Sequence, residues 1–295
     1  MKPLYIWAGG KNKMIPKYLV NPGIPTTGYD VFVEPFFGGG AMTCWIANNT
    51  DCQRFVINDI NPEIVQLYRT IKHDAKVFMN LCDHFCDTYL SKDKAGRKAY
   101  YYEIRGHYIK GGYTNPTYES ATLYFLMKTC FNGIFQPTKE SKGRFATPCG
   151  LLNHKDKVYD RDNVLAWHEF LQRVEIKSGD WKDATAVEGR AFYFMDPPYR
   201  DSFTQYGQVF PDSAHEDLIR FCDEQDREGN LVMYCNRETA DTFYTDNQGG
   251  LALETYGVTY TAGRRATEEN GDRTAKKAQE ILLFSKSILD QNCRV

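Results

Sequence analysis

The 295-residue chain has almost no net charge: 36 Lys and Arg stand against 38 Asp and Glu, a formal balance of −2. No global field therefore attracts nucleic acid or a membrane, and an anionic partner must be held by local basic patches. No apolar run approaches about 18 residues, so no membrane span is expected. The opening stretch MKPLYIWAGGKNK is too short and too polar in its apolar part for a secretion signal. No internal repeat or low-complexity tract is visible. A cysteine framework is also missing: the nine cysteines are odd in number and scattered. Together these features favour a reduced, cytoplasmic setting. Cys82-Asp83-His84-Phe85-Cys86 has no second CxxC or HxxxH pair nearby. Structural zinc takes four ligands, so a plain helix segment and no metal are expected there.

What is present is a core-forming chain, 42% apolar, with a strand–helix alternation. Asp30-Val31-Phe32-Val33 reads as a strand, followed by the loop Glu34-Pro35-Phe36-Phe37-Gly38-Gly39-Gly40 and a helix from Ala41 to about Asn48. Arg54 to Asp59 is a second strand. Pro62 then suits a first helical position, and Ile64, Leu67, Tyr68 and Ile71 keep helical spacing. Residues 74–130 lack strand signals and look helical, and 131–150 are turn-rich and basic. Alternation resumes with strands near 174–176, 192–195 and 231–235, a helix near 214–228, and closing strands near 251–261 and 279–284. The expected fold is a doubly wound, mostly parallel α/β sheet. Residues 1–73 and 155–295 would form it, and 74–154 would be an inserted, mainly helical domain.

The loop Phe37-Gly38-Gly39-Gly40 joins a strand to a helix, where glycines allow positive φ and close backbone approach to a ligand. Asp59 ends the next strand, where such folds place a carboxylate on ribose hydroxyls. Thr43 stands where the third glycine of a dinucleotide fingerprint belongs. A cofactor with ribose but no pyrophosphate fits better, and S-adenosylmethionine is one. The bland alternative is a tight turn with a surface acid.

The stretch FYFMDPPYRD carries the chemistry. Phe192 to Met195 read as a buried strand, and Pro197 and Pro198 stop it because proline cannot donate to the ladder. The loop after a parallel strand faces the ligand crevice, so Asp196 points at a substrate. Two acceptors, the Asp196 carboxylate and the Pro197 carbonyl, beside the Tyr199 ring suit a planar base with an exocyclic amine. Adenine fits. Its aniline-like nitrogen is a poor nucleophile until both hydrogens are held out of plane, and a carboxylate then stabilises the developing positive charge.

These motifs resemble those of the Dam-type DNA adenine-N6 methyltransferases. Trp7-Ala8-Gly9-Gly10-Lys11, the glycine loop from Glu34, Asn58-Asp59-Ile60-Asn61, Phe131-Asn132-Gly133, Gly143 to Pro148, Asp196-Pro197-Pro198-Tyr199, and the basic run Gly263-Arg264-Arg265 to Gly271 and Arg273 occur in order. The resemblance implies a seven-stranded methyltransferase sheet and an inserted DNA-recognition domain containing a hairpin. It implies that Trp7, Lys11, Phe36, Gly38, Gly40 and Asp59 hold S-adenosylmethionine, with Asp180 and Trp181 bracketing its adenine. Asp196, Pro197 and Tyr199 would be catalytic, and Phe203 and Tyr206 would close over the flipped base. Phe131 and Asn132 would fill the gap left in double-stranded DNA. Gln136, Lys139, Lys142, Arg144, Pro148, Arg264, Arg265, Arg273, Lys276 and Lys277 are candidates for the remaining DNA contacts.

Two departures stand out. Ile6 and Gln136 occupy places where GATC-specific members carry lysine and arginine. Arginine pairs bidentately with guanine and glutamine suits adenine, so a site other than strict GATC is expected. The rival readings are a cytosine-N4 or RNA-adenine methyltransferase, a methyltransferase acting on a protein amide, and a DNA-binding module without catalysis. A monomer, or a dimer on DNA, is expected.

Overall fold

The structure, a computed structural model, describes residues 1–200, 210–239, 241–260, 266–267, 273–274 and 276–292, and the side chains of these except at 260, 266–267, 273–274, 276–277 and 291–292. Strands β1 (Val31–Glu34), β2 (Arg54–Ile57), β3 (Val174–Ile176), β4 (Ala191–Met195), β5 (Leu231–Arg237), β6 (Ala252–Tyr260) and β9 (Lys276–Phe284) build one sheet, ordered β3-β2-β1-β4-β5-β9-β6. The first five run parallel, β9 runs antiparallel to β5, and β6 antiparallel to β9. Strands β7 (Ala266–Thr267) and β8 (Arg273–Thr274) pair separately. This is the seven-stranded sheet that the resemblance implies. The chain order reverses between β1 and β4, which opens a crevice beyond their carboxyl ends.

Strands β1 and β4 are buried along their whole lengths, as parallel strands covered on both faces must be. Their side chains alternate between two apolar clusters. Phe32, Phe192 and Phe194 enter one, and Val31, Val33, Tyr193 and Met195 enter the other. Burying each such side chain contributes about 1.5–3 kcal/mol, so the strands that end at the crevice are its firmest supports.

Helices α1 (Ile15–Val20), α2 (Ala41–Asn49), α3 (Pro62–Leu90), α4 (Lys94–Lys110), α5 (Pro116–Thr129), α6 (Arg161–Leu171), α7 (Asp212–Arg227), α8 (Phe243–Asn247) and α9 (Ser287–Asn292) accompany the sheet, with short 3-10 turns at Lys11–Lys13, Phe131–Gly133 and Trp181–Ala184. The Asn61 side chain caps α3 by accepting from Glu63 N at 2.9 Å, with Pro62 in the first turn. Asn115 and Pro116 repeat the device on α5. Each cap stabilises its helix by about 1 kcal/mol. The Cys82–Cys86 stretch lies on α3 with both cysteines buried.

The junction expected at residue 73 falls inside α3, which bends at Asp74 (φ −139°, ψ 40°). Tyr89 of α3, Tyr101 of α4 and Phe125 of α5 share one apolar cluster with Phe32 and Phe192 of the sheet. Helices α3, α4 and α5 are therefore packed onto the sheet through one core. Beyond α5 the chain makes an irregular hairpin. Cys130 faces Cys149, Phe131 N donates to Pro148 O at 2.9 Å, and Ala146 N donates to Gln136 O at 3.1 Å. Among the described residues no helix is long and apolar enough to cross a membrane.

Candidate active site and DNA-reading face

A cleft of about 300 Å³ opens beyond the carboxyl ends of β1, β2 and β4. Trp7, Lys11, Phe36, Gly38, Gly40 and Asp59 line it together with Asp196, Pro197 and Tyr199. The glycine loop and the Asp-Pro-Pro-Tyr corner thus share one wall-to-wall site.

The loop glycines have a more local cause than ligand approach. A Cβ on Gly38 (φ +49°) would sit 2.5 Å from Trp7 Nε1, and one on Gly39 would sit 2.8 Å from Trp7 Cβ. Gly40 (φ +63°) precedes α2 in the left-handed region, and its Cβ would meet the Phe37 ring at 2.4 Å. Trp7 therefore packs onto the loop backbone and fixes its course. Tyr5 Oη donates to Gly38 O at 2.9 Å from the same side.

Asp59 is buried, and it accepts from Gly38 N and Asn61 N, each at 2.8 Å. Burial raises its pKa, and these two backbone donors oppose the rise. Each carboxylate oxygen keeps a further lone pair. Neighbouring Ile60 is 51% exposed, which leaves an apolar surface at the cleft mouth.

Glu34, at the end of β1, is a cleft residue to which the sequence reading gave no role. Its carboxyl is buried and accepts from Thr43 N at 3.0 Å and from the Thr43 hydroxyl. Burial pushes its pKa up to about 8 against those two bonds. The threonine in the third-glycine position thus serves this acid. The signal was legible: an acid closing a buried strand, nine residues before a helix-borne threonine.

Lys11 stands closer to the chemistry than a cofactor contact alone. Its buried ammonium donates to Asp196 Oδ1 at 2.5 Å and to Gly9 O at 3.2 Å, and lies 4.8 Å from the centre of the Tyr199 ring. Burial lowers its pKa, but Asp196, Tyr199, Cys235 and Glu280 together outweigh this and hold it well above the ordinary value. Asp196 is pushed up to about 6 by burial, with Lys11 pulling the other way. Its side chain keeps 19% exposure, so one face of the carboxylate is open to an incoming donor.

Asp180 and Trp181 are not among the residues lining this cleft. Asp180 accepts from Lys182 N at 2.9 Å as the cap of a short turn. The buried Trp181 ring packs edge-on against Phe221 at 5.3 Å in the second apolar cluster. An apolar indole at a strand-following turn was free to fold inward, and it did.

On the hairpin, Phe131 is 49% exposed, and Asn132, Gln136, Lys139, Lys142 and Pro148 are exposed. Asn132 takes a left-handed conformation (φ 53°). Ile6, 70% exposed, packs over Gly133, where a Cβ would meet it at 2.5 Å. Arg144, a candidate DNA contact, is held by neighbouring side chains. Its guanidinium pairs with Glu119 at 2.5 Å and Glu63 at 3.6 Å, donates to Tyr108 O at 3.0 Å, and stacks 4.3 Å from the Tyr108 ring. These contacts tie the hairpin to α3, α4 and α5. Phe203, Tyr206, Arg264 and Arg265, and the side chains of Arg273, Lys276 and Lys277, lie outside the described residues.

The fold and cleft define a sheet-based methyltransferase. The family model of the D12 class N6 adenine-specific DNA methyltransferases matches residues 7–250, and the chain belongs to that family. It is 28% identical over 300 residues to the Type II methyltransferase M.MjaIII of Methanocaldococcus jannaschii, covering 97% of this chain and 99% of that one. It is 29% identical to the Type II methyltransferase M.CviBI of Paramecium bursaria Chlorella virus NC1A, covering 75% and 78%. Identity to the DNA adenine methylase of Haemophilus influenzae is 23%, covering 96% and 93%.

Proposed function

We propose that this adenine-specific DNA methyltransferase takes its methyl group from S-adenosylmethionine, bound in the Gly38–Asp59 cleft, and delivers it to an adenine turned out of the duplex onto Asp196, Pro197 and Tyr199. The observation that carries the reading is that both groups of residues line one cleft, with the Asp196 carboxylate partly open to it.

The donor set fits the cofactor. Asp59 has spare lone pairs for ribose hydroxyls, and Phe36 and Ile60 give apolar walls for a purine. When bound, the cofactor supplies an electrophilic methyl group on a sulfonium. The chain's own residues do the rest. Pro197 and Pro198 fix the corner. The Asp196 carboxylate and the Pro197 carbonyl accept the two amine hydrogens, and the Tyr199 ring stacks on the base. Asp196 stabilises the positive charge that develops on nitrogen, and Lys11 keeps that carboxylate ionised at neutral pH.

Flipping the base costs a few kcal/mol, and stacking on Tyr199 returns about 1–3 kcal/mol. Phosphate contacts, with Lys139 and Lys142 as exposed candidates, supply much of the remainder. Phe131 and Asn132 are the candidates to fill the vacated space. The exposed Gln136 favours a target site other than strict GATC, and sequencing of DNA methylated in a methylation-free host tests that. The chemistry is tested with labelled S-adenosylmethionine and mixed DNA, digested to nucleosides. The label is expected in N6-methyldeoxyadenosine. Label in N4-methyldeoxycytidine, or none in DNA, overturns the proposal.

A further inference from the structure

Arg200, directly after the catalytic corner, is held in a way that a surface arginine is not. Its Nε and Nη2 donate to the two oxygens of Asp212 at 2.7 and 2.8 Å. Its Nη1 donates to Asp241 Oδ2 at 2.6 Å and to Thr239 Oγ1 at 2.8 Å. The guanidinium carbon lies 4.0 Å from the centre of the Phe243 ring, and the side chain is only 11% exposed. The Arg200 backbone is fixed as well. Its N donates to Asn236 Oδ1 at 3.0 Å, and its O accepts from Arg237 Nη2 at 3.2 Å.

These partners come from separate parts of the fold. Asp212 opens α7, and Asn236 and Arg237 end β5. Thr239 and Asp241 follow β5, and Phe243 opens α8. Asn236 is fully buried, and its Nδ2 donates to Tyr234 Oη at 3.3 Å. The residue after Tyr199 is therefore anchored from both backbone atoms and through its whole side chain. Prolines stiffen the corner from within, but they do not set where it points relative to the next strand. Arg200 sets that.

We infer that Arg200 is a positioning residue: a planar fork that aims the Asp196–Tyr199 corner at the reacting amine by bracing it against Asp212, Asp241 and the end of β5. This rests on the role proposed above for that corner. A misplacement of about 1 Å in a reacting group costs on the order of 100-fold in rate, so the brace need move only slightly to matter. Lysine cannot replace it, because an ammonium lacks the planar fork that meets Asp212 and Asp241 together.

The test compares wild-type enzyme with Arg200→Lys and Arg200→Ala, each assayed for methyl transfer to DNA with and without millimolar guanidinium ion. Active wild-type enzyme is the prerequisite, so failure of the proposed chemistry shows there and is distinct from failure of this inference. The expected result is a kcat about 10- to 100-fold lower in both variants, with the KM for the methyl donor within about threefold of wild type. Added guanidinium should raise kcat in Arg200→Ala and not in wild type. The inference is overturned if either variant keeps wild-type kcat. It is also overturned if kcat, donor KM and melting temperature all worsen together with no guanidinium rescue, which would mark Arg200 as purely structural.

Discussion

Replacing Lys11 by glutamine removes the one described cation in contact with Asp196 and leaves a side chain of similar length. In the folded cleft Asp196 holds its proton more tightly than free aspartate does, with a pKa pushed up to about 6 by burial against the pull of Lys11. Activity that needs the carboxylate is therefore present above about pH 6 and lost as pH falls through that value. An opposite charge at this range lowers a carboxyl pKa by about 1–3 units, so losing it should carry Asp196 to about 7–9. With a value near 8, roughly a quarter of the enzyme is ionised at about pH 7.5, against nearly all of it in the wild type. Protonation alone then costs about fourfold at about pH 7.5 and about 25-fold at about pH 6.5, and the loss disappears near about pH 9.5. The assay is the pH profile of single-turnover methyl transfer at saturating DNA and donor. An acid limb that stays near pH 6 in Lys11→Gln, or a loss equal at every pH, would refute the reasoning.

Other outcomes follow from the same geometry. Gly38→Ala puts a Cβ 2.5 Å from Trp7 Nε1 at φ +49°. It should weaken donor binding about tenfold or more, and Trp7→Ala in the same chain should recover part of that in a calorimetric titration. Lys139→Gln and Lys142→Gln should each reduce the slope of log affinity against log salt by about 1. Arg144→Gln should lower thermal stability, because it leaves the half-buried Glu63 and Glu119 together without their cation. Cys130 and Cys149 form a non-hydrogen-bonded cross-strand pair, flanked by the Phe131–Pro148 and Gly150–Thr129 bonds. Their Cα atoms should lie about 4.5 Å apart, so a mild disulfide oxidant should cross-link them, read as a non-reducing peptide map. Absence of that linkage would contradict the hairpin register.

Much of this architecture is legible in the residues because its signals are local. The strands around Val31–Val33 and Phe192–Met195 are continuous apolar runs stopped by loop chemistry, and both form where the sequence puts them, the first shifted by one residue to Val31–Glu34. The acid after β2 and the Asp-Pro-Pro-Tyr corner follow from the same punctuation. What was not legible depends on contacts far apart in sequence. Lys11 and Asp196 are 185 residues apart, and nothing local tells the lysine to turn toward the carboxylate. Trp181 and Arg144 carry residue types that suit ligands and phosphate, yet each is claimed by partners on other elements. Asn236 and Arg200 gain their roles only once β4 and β5 lie side by side. The boundary expected at residue 73 has no local mark in the fold, because α3 runs through it and its residues on both sides join one apolar cluster.

The most direct measurement is the single-turnover rate of Asp196→Asn at saturating DNA and donor, taken together with its donor affinity. The change keeps the shape of the side chain and removes the charge that should meet the amine. A rate at least about 100-fold lower with donor affinity within about threefold is the predicted result. A variant that transfers methyl groups at near the wild-type rate would contradict the claim that this carboxylate grips the reacting nitrogen.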